Sequence, residues 1–130
     1  MKQLFIVLAF VSSQALAQNN YFFPVGVTFD PAIPTPEQFL GYPIGEWHTR
    51  HDRIVSYFQE LARVSPKAHF QIIGYTNEHR PQVVLTITRP ENYARIESIR
   101  QEHLKLADPT QSVNVSAMPV VVTHGYNVHG

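Results

Sequence analysis

The chain has 130 residues, equal numbers of acidic and basic side chains, seven histidines and no cysteine. A formal net charge of zero leaves no basic field to draw in nucleic acid or an anionic membrane. Without cysteine, disulfides, thiolate chemistry and Cys-type metal sites are excluded, so a metal here has only histidine and carboxylate ligands to use.

The first residues read as a secretory leader. Lys2 gives a positive start, residues 4–11 are uninterruptedly apolar, and Ala15-Leu16-Ala17 places small residues where a signal peptidase cuts. The apolar run breaks into Ser12-Ser13-Gln14. A membrane span needs roughly 20 apolar residues, and this run ends too early to supply them. The expectation is a signal peptide over residues 1–17, a mature chain from Gln18, and a secreted or periplasmic location with no membrane attachment after cleavage. What remains is long enough for one small domain.

Residues 18–45 are rich in proline and aromatics, including Tyr21, Phe22, Phe23, Pro24, Pro31, Pro34, Pro36 and Pro43. Proline fixes φ and removes a donor, so an extended segment lying across a surface is expected. Within it Thr35-Pro36-Glu37-Gln38 has the residues of a capping box, and Gly41 suits the end of a short helical turn.

Ile54, Tyr57, Phe58, Leu61 and Val64 recur at helical spacing and predict an amphipathic helix closed by Ser65-Pro66. A hairpin follows. Phe70, Ile72 and Ile73 lead into Gly74, residues 81–88 alternate as a strand, and the polar stretch from Thr76 to Arg80 forms the turn. A second helix is expected from about Glu91 to Leu106, with Ile96, Ile99, His103 and Leu104 on its inner stripe. Residues 118–123, Met-Pro-Val-Val-Val-Thr, are a β-branched run suited to a strand buried on both faces. The order helix, strand, strand, helix, strand predicts an α/β fold, a mixed sheet with helices packed on it. Three strands leave such a sheet incomplete, and the chain stops in a loop just after the last one, which reads as a truncation.

That loop, Gly125-Tyr126-Asn127-Val128-His129-Gly130, resembles the first metal motif of zinc metallocarboxypeptidases of the carboxypeptidase A type. In that family a strand runs into His-x-x-Glu, and both residues bind zinc. His129 matches the histidine, and the glutamate would stand three residues later. Upstream, Ile73-Gly74-Tyr75-Thr76-Asn77-Glu78-His79-Arg80-Pro81 resembles the family's turn, commonly Ile-Gly-x-Ser-x-Glu-Gly-Arg-Pro. It departs from that pattern in Thr76 for serine and His79 for glycine, and the second replaces a residue that tolerates positive φ. The resemblance covers residues 47–130, and the stretch between Arg89 and Asp108 is longer than in compact members, similar to larger bacterial relatives.

The resemblance implies that residues 46–130 are the N-terminal portion of a zinc carboxypeptidase catalytic domain. It also implies Zn2+ as cofactor, with His129 as its ligand in this chain, and peptide or protein C-termini as substrate. Two histidines and a glutamate would hold the ion with one position open for water. A glutamate would serve as general base, and an arginine would pair with the substrate's terminal carboxylate. All of these except His129 are expected beyond Gly130, so no catalytic residue is assigned within the chain, and residues 18–130 alone are expected to be inactive. Two other readings stand beside this one: a small exported His-rich metal-binding protein, and a catalytically dead relative serving as a peptide-binding module. His48 and His51 are spaced to share a metal but lack a third partner, and His124 would need the loop to fold back. His69, His79 and His103 read as turn or helix-face residues. Glu91, Glu97, Glu102, Arg95 and Arg100 read as a solvated helix face.

Overall fold

A computed structural model describes residues 26–126. The expected signal peptide, the start of the aromatic segment and His129 lie outside the described residues. Among the described residues, those from Pro31 onward form one unit, and residues 26–30 lie outside it.

The unit opens with α1, Pro36–Leu40, and the local sequence accounts for it. Thr35 is extended at φ −66° and ψ 159°, and its hydroxyl accepts from the Gln38 backbone N–H at 3.2 Å. The Gln38 side chain accepts the Thr35 N–H in return at 2.8 Å. Two otherwise orphaned donors are thereby satisfied reciprocally. Pro36 takes the first helical position, where its missing N–H is not needed. Gly41 ends the turn at φ 87°, a left-handed cap that a side chain would strain.

The main helix, α2, is His51–Val64. Ser65 leaves it at φ −122° and ψ 123°, extended as the residue before Pro66 prefers to be. Residues 34–42 fold against this helix through specific contacts. The Tyr57 hydroxyl donates to the Pro34 carbonyl at 2.9 Å, the Tyr57 ring meets Phe39 at 5.2 Å, and Arg53 sits 5.6 Å above Phe39. Partial burial raises the Tyr57 phenol above its ordinary pKa. Tyr42 packs on Trp47 with ring centroids 5.0 Å apart, and its hydroxyl donates to Thr49 at 2.9 Å. These contacts explain how a segment without long elements is held in place.

Strands β1 (Ala68–Tyr75) and β2 (Pro81–Ile87) pair antiparallel, with α2 packed against them. Phe70 pairs with Leu85 and Ile72 with Val83, then the register shifts between Ile72 and Gly74. Such a bulge inserts one residue and bends the strand. The sheet has two strands, and no third joins it among the described residues. The expected mixed sheet is therefore corrected to an antiparallel pair, within an architecture that still combines helices and strands.

Residues 118–123 account for that correction. After a short 3-10 turn at Val115–Ala117 the chain runs without a ladder, and Val120, Val121 and Val122 are 88%, 64% and 70% exposed. A continuous β-branched run makes a buried strand only when neighbouring strands supply hydrogen bonds on both edges. Among the described residues none does.

The helix expected over 91–106 is divided. Helix α3, Pro90–Ala94, stops at Arg95, whose φ −117° and ψ 24° lie off the helical values. Helix α4, Ile96–Lys105, then begins. Two anchors explain the break. Tyr93 stacks on His69, while Ile99 is only 7% exposed. Six residues apart on one straight helix, they would point about 120° from each other. The break at Arg95 relieves that mismatch. Of the expected inner stripe, Ile99 is buried and His103 half-buried, whereas Ile96 and Leu104 are exposed. Among the described residues the buried core is small: Val55, Ala68 and Ile99, with Ser65 also buried.

Candidate functional site

The turn between β1 and β2 lies in the region that carries the resemblance. The Thr76 N–H donates to the Arg80 carbonyl at 2.9 Å, and the His79 N–H donates to the Thr76 carbonyl at 2.9 Å. The Thr76 hydroxyl accepts the Arg80 N–H at 3.1 Å. Serine or threonine fills that role equally. His79 stands at φ 59°, and among the described residues no other non-glycine residue has positive φ. Left-handed backbone is sparsely populated by side-chain-bearing residues, with histidine among the better tolerated. Arg80 and Glu78 form an ion pair at 2.9 Å, both largely exposed.

Packing of α2 on the hairpin brings this turn near the start of the helix. Between them lies a depression of about 540 Å³, open to solvent on one side and lined by Arg50, His51, Asp52, His79, Arg80 and Pro81 among others. Arg50 pairs with Asp52 through two bonds of 3.0 Å, using Nε and one terminal nitrogen. Sequence reasoning separates His51 from His79, reading one as a helix-start residue and the other as a turn residue. The departure of His79 from the glycine of the family pattern is the signal that a side chain is present where none is expected.

No group of three or more His, Cys, Asp or Glu side chains able to hold a metal occurs among the described residues. His48 and His51 therefore gain no third partner there, and the described residues by themselves do not fit zinc. His124 is exposed. The chain leading toward His129 meets α2 at Tyr126, whose ring lies edge-on to Phe58 with centroids 6.3 Å apart.

The remaining histidines have structural settings. The His103 ring nitrogen Nδ1 lies 2.8 Å from the Ile99 carbonyl, one helical turn back. His69 lies in β1 under Tyr93, and its Nε2 is buried with no hydrogen-bond partner. The expected charged helix face is present in part: Glu97 and Arg100 are exposed on α4, Glu102 is half-buried there, and Glu91 and Arg95 lie before it in α3 and at the break. Arg100 grips Glu97 through bonds of 2.8 and 2.7 Å, and Gln101 adds a third at 2.8 Å. These bonds, Arg100 first, lower the exposed Glu97 carboxyl to a pKa of about 2.

No described helix is long and apolar enough to cross a membrane. No protein-family pattern, curated protein or solved structure matches the chain.

Proposed function

We propose that this chain is the N-terminal portion of an exported zinc metallocarboxypeptidase, with His129 as a zinc ligand and peptide or protein C-termini as substrate. The observation that carries the reading is His79. In the resembling turn, the family pattern has glycine at that position, and there the backbone stands at φ 59°. The conformation that glycine serves is thus kept although the residue has changed. Thr76 supports the same reading, because its hydroxyl caps the turn as the family's serine would. Both departures from the pattern preserve the backbone role of the residue they replace.

The proposed metal chemistry takes His129 as one ligand, and the described residues supply no metal cluster beside it. The leader sequence at residues 1–17 supports export, which suits an enzyme acting on extracellular or cell-wall peptides. The test is hydrolysis by the protein expressed from its full reading frame. Release of the last amino acid from a peptide with a free C-terminus, and none from the same peptide amidated, supports the reading. Equal cleavage of both, or of neither, refutes it.

A further inference from the structure

The cavity between α2 and the β1–β2 turn gathers donors from two separate places in the chain. Arg50 and His51 reach it from the start of the helix, and His79 and Arg80 from the turn. Asp52 is the acid among the lining residues, so two guanidinium groups against one carboxylate leave the lining at a formal charge of +1 with both imidazoles neutral. Glu78 pairs with Arg80 but does not line the space.

Neither ion pair consumes its arginine. A guanidinium carries five N–H donors in a planar fork. Arg50 commits Nε and Nη2 to Asp52, leaving Nη1, and Arg80 makes a single 2.9 Å contact from Nη2 to Glu78. The side chains of these pairs are between 58% and 79% exposed. Pairs so exposed hold weakly and yield to a competing acceptor. Two imidazoles and one carboxylate do not form a metal-holding group here. Hydrogen-bond donation is the chemistry the walls share. The volume of about 540 Å³ exceeds what a bare ion needs. It admits a small organic acid or phosphate with its hydration.

We propose that this cavity binds a small oxyanion, a carboxylate or a phosphate, between the guanidinium groups of Arg50 and Arg80, with His51 and His79 as additional donors. Planar forks of this kind match two oxygens of one acceptor group. His79 then has a use beyond the turn, since the glycine of the family pattern would leave that wall open. This inference goes beyond the proposed peptidase activity and does not depend on it, because none of the four residues is assigned to the zinc motif.

Isothermal titration of the full encoded protein at fixed ionic strength tests it. The probes are inorganic phosphate, a neutral tripeptide with a free C-terminal carboxylate, and the same tripeptide amidated. Saturable binding of phosphate or of the free tripeptide, but not of the amide, is expected, and the responding probe identifies the source of the oxyanion. Arg80→Gln or Arg50→Gln is expected to weaken that binding about tenfold, the effect of losing a charge-assisted bond. Arg63→Gln, on α2 but away from the cavity, serves as the control for general charge loss and should leave the affinity unchanged. All three side chains are exposed, and an unchanged amide spectrum verifies the fold of each variant. No saturable binding of phosphate or free tripeptide, equal binding of the amide, affinity unchanged in both Arg50→Gln and Arg80→Gln, or equal weakening by Arg63→Gln would each overturn the proposal.

Discussion

Tyr93 lies flat on His69, with ring centroids 3.3 Å apart and planes inclined by 6°. The contact joins α3 to β1, two elements separated in sequence by the rest of the hairpin, and covers a ring whose Nε2 has no hydrogen-bond partner. An unpaired buried polar atom is unfavourable, and the stacked ring contributes its own favourable contact at the same residue. Tyr93→Ala is expected to lower stability by roughly 1 kcal/mol or more, and Tyr93→Phe to change it little. Urea unfolding of the three proteins checks this. Equal stability of Tyr93→Ala and the parent would mean that the stack holds nothing.

The capping box gives a sharper local test. Thr35→Ala leaves the Gln38 N–H without its acceptor. The loss of such a cap is expected to cost about 1 kcal/mol. Because α1 holds Phe39 against Tyr57, the loss should also appear as a changed Tyr57 ring environment in the near-ultraviolet. A variant with parental stability and spectrum would show that the box is ornamental to the fold.

His79 can be probed in both directions. His79→Val places a β-branched residue at φ 59°. The hairpin is expected to lose about 1 kcal/mol or more through that strain. His79→Gly removes the strain and should be at least as stable as the parent. Thermal melts that rank valine above glycine would contradict the left-handed turn, and with it the support that turn lends to the family reading.

Glu97 provides a pH test with a defined sign. Its carboxyl is depressed from 4.5 to about 2, first through its hydrogen bonds with Arg100. A depressed folded value means that the stabilisation is present above the ordinary carboxylate range and is lost as pH falls through about 2. The group is fully exposed, so the readout is the side-chain titration by NMR rather than global stability. Arg100→Gln should return the midpoint toward 4.5, and an unmoved midpoint would count against the Arg100 grip.

How much of this is legible in the sequence follows from the range of each interaction. The capping box, the span of α2 with its Ser65-Pro66 end and the β1–β2 hairpin are set within a few neighbouring residues, and they read correctly; the α2 stripe reads only in part, since its five residues are half-buried and the buried residue of the helix is Val55, outside it. The break at Arg95 depends on Tyr93 reaching His69 across the chain, which no window of helical period contains. The strand expected over 118–123 does not form for a related reason. Three successive valines announce β propensity, but a strand exists only with partners, and the pair β1–β2 takes up the ladder that is present. The cavity is invisible in the sequence because His51 and His79 come to line one space only after α2 docks on the hairpin. Only His79, standing where the resembling turn pattern has glycine, hints at it.

The most direct test of the central claim is the zinc content and peptidase activity of the protein from its full reading frame, compared with its His129→Ala variant. Bound zinc and release of C-terminal amino acids are expected in the parent, with both lost or sharply reduced in the variant. A parent that neither holds zinc nor trims peptides, or a variant that does both as well as the parent, would contradict it.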